Sequence, residues 1–198
     1  MTSGMIRIQI EQAVALEWLG YSLEQGEVVS RATVKAIQEH EGHAYTLAPE
    51  GVDRARLANP RDGGVISPGA GSPREALARE LETLAERGAA CVVVEDDLRL
   101  KRDPKPSLDG LLLTAFVGER VLHWAELQDG MEAASLAIDR GSHGYPLNAF
   151  VTSASASELG LVDGADLDLD IASPVVGSLM AVIVSAYDDE TYIIWEPS

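Results

Sequence analysis

The sequence predicts an α+β protein, in which helices pack on a mixed or mainly antiparallel sheet to form a single-domain sandwich. Segments with helical periodicity and strand-like apolar runs both occur along the chain. Two pairs of strand-like runs are separated by only two or three residues, as in antiparallel hairpins, and strand and helix do not alternate regularly. The 198 residues, 46% of them apolar, are enough for one folded domain.

The N-terminal part of the chain predicts a strand and two helices. Gln9 to Glu24 carries apolar residues with a period near 3.6, which indicates a helix, and Met5 to Ile8 is a short strand before it. A second helix is predicted from an N-cap at Ser30 to Gly42, so that the two form a helical hairpin. Eight Pro and Gly residues lie between Pro49 and Ser72, where we expect a long flexible loop.

The middle of the chain predicts a helix, a buried strand and a hairpin. Ser72-Pro73-Arg74-Glu75 is a capping box with Pro at the first helical position, and Gly88 is the left-handed residue that ends the helix. Ala89 to Val94 is an apolar, β-branched run typical of a buried strand. Leu111 to Val117 and Arg120 to Leu127 flank a two-residue turn and form the hairpin.

The C-terminal third predicts a helix, a short strand and a second hairpin. A capping box at Asp129 starts the helix, and Asn148 to Thr152 is the strand. Ser155 to Glu158 opens one further helical turn. Val175 to Tyr187 and Thr191 to Glu196 form a long apolar hairpin, which we expect at the centre of the sheet.

Charge is the sequence property that bears most directly on function. The formal net charge is −17, and from Met131 onward eleven acids stand against one base, Arg140. Such a surface attracts basic partners and repels nucleic acids and anionic membranes. An acidic proteome, as in salt-adapted organisms, would explain the total charge. It explains the concentration of acids near the C-terminus less well.

These C-terminal carboxylates form the predicted partner-binding surface. Several alternate with aliphatic residues, as in a half-exposed strand. The acids assigned to the surface are Asp163, Asp166, Asp168, Asp170, Asp188, Asp189 and Glu190. We therefore expect a non-enzymatic binding protein without a cofactor, which docks a basic protein partner as an immunity protein or antitoxin-like inhibitor does.

Two further sets of residues support an alternative function, a small-molecule or phosphate-binding enzyme or sensor. The Gly-rich loop before Pro73 leads into a helix N-terminus, which can bind an anion. The residues of this anion site are Gly69, Gly71, Ser72 and Arg74. His40 and His43, three residues apart at a predicted helix end, would bind a metal ion if a third ligand were near. A capped flexible loop and the helix dipole explain the same residues without any ligand.

The sequence contains none of the common catalytic motifs. Neither a Gly-x-Ser-x-Gly elbow nor a HExxH motif is present. The carboxylates of Glu95-Asp96-Asp97 follow a buried strand but lack the acid-x-Lys pair of metal-dependent nucleases. The single cysteine, Cys91, cannot form an internal disulfide, and no stretch reaches the about 20 apolar residues of a membrane span. With no signal-like N-terminus, we expect a cytoplasmic protein.

Overall fold

The computed structural model describes residues 4–24, 31–58, 73–97, 113–117, 120–129, 132, 134, 148–164, 177–186 and 191–198. The elements with described bounds are, in chain order, β1 (Met5–Ile10), α1 (Gln12–Glu24), α2 (Arg31–Glu39), β2 (Gly42–Pro49), α3 (Arg54–Ala58), α4 (Pro73–Glu86), β3 (Cys91–Asp97), β4 (Leu113–Val117), β5 (Arg120–Glu126), β6 (Asn148–Thr152), β7 (Leu179–Ala186) and β8 (Thr191–Pro197).

The eight strands form one sheet in the order β1-β2-β8-β7-β6-β3-β5-β4. Every neighbouring pair in this order is antiparallel. The C-terminal hairpin of β7 and β8 lies in the interior of the sheet, where Ile183 and Ile194 are fully buried. The predicted α+β class and the central position of this hairpin are therefore confirmed.

Helices cover both faces of the sheet, because strand side chains alternate between two apolar clusters. The face under α1 and α2, here called the tryptophan face, contains all three tryptophans of the chain, Trp18, Trp124 and Trp195. The opposite face, here called the α4 face, contains Leu81 and the other buried leucines of α4. Each of these helices therefore buries its apolar side chains against one face of the sheet.

α4 and β3 confirm the helix and the buried strand predicted here, whereas Ser72, the predicted N-cap, lies outside the described residues. The helix begins at Pro73, and its buried leucines lie on the side facing the sheet. It is followed by Gly88 in the left-handed conformation, with φ of 102°. The next residues, Cys91 to Val94, are almost completely buried, as expected for a strand covered on both faces.

The predicted hairpin in the middle of the chain is also confirmed, and the segment after β6, predicted as one helical turn, is a hydrogen-bonded turn. β4 and β5 pair antiparallel, with Val117 opposite Arg120. After β6, Ser155 and Glu158 form a reciprocal capping box. The Ser155 N–H and Oγ donate to the Glu158 carboxylate at 2.8 and 3.0 Å, and the Glu158 N–H donates to Ser155 Oγ at 3.3 Å.

α2 ends earlier than the sequence predicts. The helix ends at Glu39 rather than Gly42, and residues from Gly42 onward form β2, a strand that the sequence analysis did not predict. β2 pairs with β1 on one side and β8 on the other, so sheet hydrogen bonds decide its conformation. The Gln12 side chain donates to the carbonyls of Ile37 and His40, which satisfies the end of α2.

Part of the segment predicted to be a loop, 49–72, is helical. Asp53 caps α3 by accepting the Ala55 N–H at 3.0 Å, and Trp18 Nε1 donates to the Leu57 carbonyl at 2.8 Å, which joins α1 to α3. Residues 59–72 lie outside the described residues. So does most of the helix predicted from Asp129, although Glu132 and Ala134 are helical.

Candidate functional site

The predicted partner-binding surface lies mostly outside the described residues. Of its seven acids, the structure describes Asp163, which is exposed. The acids outside the described residues are Asp166, Asp168, Asp170, Asp188, Asp189 and Glu190. That these seven share one side of the molecule therefore stays a prediction.

One carboxylate of the C-terminal third, Glu196, is instead held inside an ion cluster on the α4 face. Its Oε1 accepts hydrogen bonds from Arg7 Nη2 at 2.9 Å and from Arg87 Nη1 at 3.0 Å. Arg7 also donates to Glu80 Oε2, at 2.7 Å from Nη2 and 3.2 Å from Nε. The Arg7 guanidinium lies 4.4 Å from the centre of the Tyr45 ring. The cluster thus connects β1, β2 and β8 to α4.

The electrostatics of this cluster favour the charged form of both partners. Burial by itself would raise the pKa of Glu196, but hydrogen bonds and charge from Arg7 and Arg87 outweigh it, so the pKa lies below its ordinary value. Burial would likewise lower the pKa of Arg7, and Glu196 and Glu80 outweigh that effect and raise it. Because every charged member has a partner, we assign this cluster to stability rather than to chemistry.

The two histidines proposed as metal ligands lie on different elements. His40 follows α2, with its Nδ1 3.1 Å from the carbonyl oxygen of Ala36, whereas His43 is an exposed residue of β2 opposite Glu196. The expected arrangement of both rings on one helix face is therefore wrong, because the helix stops before them. Among the residues that the structure describes, no group of three or more His, Cys, Asp or Glu could hold a metal ion.

The predicted anion site also falls largely outside the described part of the chain. Gly69, Gly71 and Ser72 are not described, and Arg74 lies in the first turn of α4. Phosphate or other anion binding at this helix N-terminus stays a prediction.

An open cleft lies at the edge of the sheet, where β1 leads into α1 and α3 packs beside them. It consists of two adjoining cavities of about 490 and 270 Å³, which share Gln9, Ile10, Glu11 and Arg54. We call it the edge cleft. His43 lines the larger cavity, and Ile8, Val14 and Leu57 line the smaller one. The cleft thus combines an apolar wall with a few polar groups, as small-molecule sites do.

Gly42, which lines the larger cavity, lies directly against the Trp195 ring. A Cβ atom at this position would lie 2.6 Å from Nε1 and Cε2 of Trp195 and 2.4 Å from the Glu196 carbonyl oxygen. The tryptophan is 1% exposed, and its indole N–H has no hydrogen-bond partner among the described residues. Only glycine therefore lets the strand lie against this ring.

Sequence reasoning missed most of this cleft. His43 was singled out, but Glu11 and Arg54 are more than forty positions apart in the chain and belong to no motif. The signal that brings them together is the pairing of β1 with β2, which the sequence analysis did not predict.

The single thiol takes no part in either site. Burial, with a smaller effect of the Glu126 charge, raises the pKa of Cys91 to about 12. The side chain is completely buried in the tryptophan face. It is therefore a packing residue and not a nucleophile.

No described helix is long and apolar enough to span a membrane. No protein-family model, curated protein or solved structure matches this chain.

Proposed function

We propose that this chain is a binding protein that docks a basic protein partner through carboxylates, chiefly those of its C-terminal third, and inhibits that partner by steric blockade. The observation that supports this function is the excess of exposed acids. Where the structure describes exposure, the exposed bases are Lys35, Arg54, Arg56, Arg79 and Arg87. The exposed acids are Glu11, Glu17, Glu24, Glu39, Glu41, Glu50, Asp53, Glu75, Glu82, Glu86, Glu132, Glu158 and Asp163.

The distribution of bases along the chain strengthens this proposal. Gly141 to Ser198 contains neither Lys nor Arg, so only bases from earlier in the chain can neutralise its carboxylates. Glu196 shows how this happens, since both of its partners, Arg7 and Arg87, come from the N-terminal half. The whole chain has 15 Lys and Arg for 32 Asp and Glu, so the negative charge of the carboxylates is far from balanced within the chain. A basic protein can supply the missing charge.

Salt dependence is the first test. Proteins that bind the chain at low ionic strength are isolated from the native extract, and the affinity of one purified candidate is measured between 0.01 and 0.5 M salt. The screening length falls from about 30 Å at 0.01 M to about 10 Å at 0.1 M, so affinity should fall steeply over this range. An affinity that does not change with salt would contradict charge-guided docking.

Matched triple variants test whether the C-terminal acids matter. We expect Asp166→Asn, Asp168→Asn and Asp170→Asn together to weaken binding about tenfold or more. Glu75→Gln, Glu82→Gln and Glu86→Gln remove the same charge from the exposed side of α4 and should have a much smaller effect. Equal effects of the two triples would show that net charge alone matters and would reject the C-terminal surface.

The alternative, a small-molecule or phosphate-binding enzyme or sensor that uses the Gly-rich loop before Pro73, stays a prediction. A thermal-shift screen with phosphate and nucleotides tests it, because a ligand at a hundredfold excess over its Kd stabilises the fold by about 2.7 kcal/mol. No shift with any of these compounds would reject it.

A further inference from the structure

The edge cleft carries side chains of both charges that have no partner in the described structure. Glu11, at the start of α1, and Arg54, in α3, are exposed and line both cavities. Neither side chain forms an ion pair or hydrogen bond with another described residue, and they do not pair with each other. A negative and a positive side chain thus line the same cleft without pairing with each other.

The wall of the smaller cavity is apolar. Ile8 and Leu57 are almost completely buried, and with Ile10 and Val52 they form a small cluster between β1 and α3. Because Ile8 and Leu57 are covered by the protein itself, the aliphatic surface open to a ligand comes mainly from the half-buried Ile10 and Val14. The cavity of about 270 Å³ is just below the range of about 300–1,000 Å³ that is typical of small-molecule sites. Its occupant must therefore be small, with an aliphatic part.

We propose that the edge cleft binds a free α-amino acid with an apolar side chain. Arg54 binds the carboxylate of the amino acid, because a guanidinium can donate two parallel hydrogen bonds to a carboxylate. Glu11 binds the α-ammonium group, and the aliphatic side chain lies against Ile10 and Val14. A simple anion or a simple cation would leave one of the two charged residues unmatched. The zwitterion of an amino acid pairs with both residues, and its aliphatic side chain packs against the apolar lining of the smaller cavity.

Titration calorimetry with three isosteric probes tests the ligand class. The probes are L-leucine, leucinamide, which lacks the carboxylate, and 4-methylpentanoate, which lacks the ammonium group. We expect L-leucine to bind with a millimolar or lower Kd and each analogue to bind at least tenfold more weakly. No binding of L-leucine at millimolar concentration, or equal binding of all three probes, would overturn the proposal.

Single variants then test which charged residue binds which group of the ligand. Arg54→Ala should weaken L-leucine at least tenfold and leave leucinamide unchanged, and Glu11→Gln should remove the preference for L-leucine over 4-methylpentanoate. Arg56→Ala on α3 and Glu17→Gln on α1 are matched controls, because both residues are exposed and neither lines the described cavities. Their affinities should stay within twofold of the unmodified chain. Wild-type binding by both Arg54→Ala and Glu11→Gln would reject the assignment.

Discussion

At the scale of single residues, Glu196 joins the C-terminal strand to the rest of the molecule. Its side chain is 11% exposed and accepts hydrogen bonds from two arginines, of which Arg7 is 24% and Arg87 50% exposed. An ion pair contributes more to folding stability when it is hydrogen-bonded and shielded from water, whereas exposed pairs contribute little. Loss of the Glu196 carboxylate should therefore cost more stability than loss of the half-exposed Arg87.

Glu196→Gln should lower the free energy of unfolding by about 1–3 kcal/mol, because it removes a charged acceptor from a partly buried cluster. Arg87→Ala, which removes the more exposed partner, should cost only about 0–1 kcal/mol. Urea unfolding at neutral pH measures both values. Equal losses in the two variants would contradict this ranking of the contacts.

The same residue gives the stability a pH dependence. The pKa of Glu196 is lower in the folded chain than its ordinary value of 4.5, so its contribution is fully present above that value. It is lost as the pH falls further, through the pKa of the folded state. The difference in unfolding free energy between the unmodified chain and Glu196→Gln should thus be constant from pH 6 to 7 and shrink below about pH 4.5. A difference that grows on acidification would have the wrong sign.

At Gly42 the addition of a single methyl group should already lower the free energy of unfolding. In Gly42→Ala the new methyl group would overlap the Trp195 ring and the Glu196 carbonyl, and we expect a loss of about 1–3 kcal/mol in urea unfolding. Gly20→Ala is the control, because a Cβ there meets nothing within 4 Å and the residue lies inside α1. That variant should gain up to about 1 kcal/mol. Similar effects at the two glycines would argue against the close contact.

At the scale of elements, α4 is held to the sheet by its leucines and by the ion cluster at its C-terminal end. Leu77, Leu81 and Leu84 are almost completely buried on the α4 face, whereas Glu75, Glu82 and Glu86 are exposed. Since apolar burial contributes about 25 cal/mol per Å², the leucines supply most of the attachment.

Leu81→Ala should therefore lower the unfolding free energy by about 2–5 kcal/mol, through lost burial and the cavity left behind. Glu82→Ala changes the next residue, which is exposed, and should stay within about 0.5 kcal/mol of the unmodified chain. Chemical denaturation of both variants makes the comparison. A cost below about 1 kcal/mol at Leu81 would show that α4 does not pack as described.

At the scale of the whole molecule, the net charge of −17 opposes folding, because like charges are closer together in the folded chain than in the unfolded one. Salt screens this repulsion, and it also weakens ion pairs such as those of Arg7 and Arg87 with Glu196. The balance of these effects sets how stability responds to ionic strength.

We expect the melting temperature to rise between 0.01 and 0.5 M sodium chloride, as measured by circular dichroism. The triple variant Glu75→Gln, Glu82→Gln and Glu86→Gln has less repulsion to screen and should show a smaller rise. A melting temperature that falls with added salt would mean that ion pairs outweigh the repulsion.

Local sequence signals predicted most of the elements but not how distant residues meet. Capping residues and apolar periodicity located α1 and α4, and the apolar runs located β3 and the C-terminal hairpin. β2 was missed because its conformation depends on β1 and β8, which lie at opposite ends of the chain. Of the edge cleft, only His43 was named, since Glu11 and Arg54 share no spacing that a motif could reveal.

The sequence by itself determined the α+β class, the central hairpin and the acidic character, because these depend on neighbouring residues and on composition. Only the tertiary structure decided that Glu196 is held by Arg7 and Arg87, that Gly42 lies against Trp195, and that β1, α1 and α3 enclose a cleft. The physical reason is that antiparallel pairing brings together residues far apart in the chain. Within a hairpin the turn and the apolar pattern set the register, but which distant strands become neighbours depends on strand order, which no local pattern encodes.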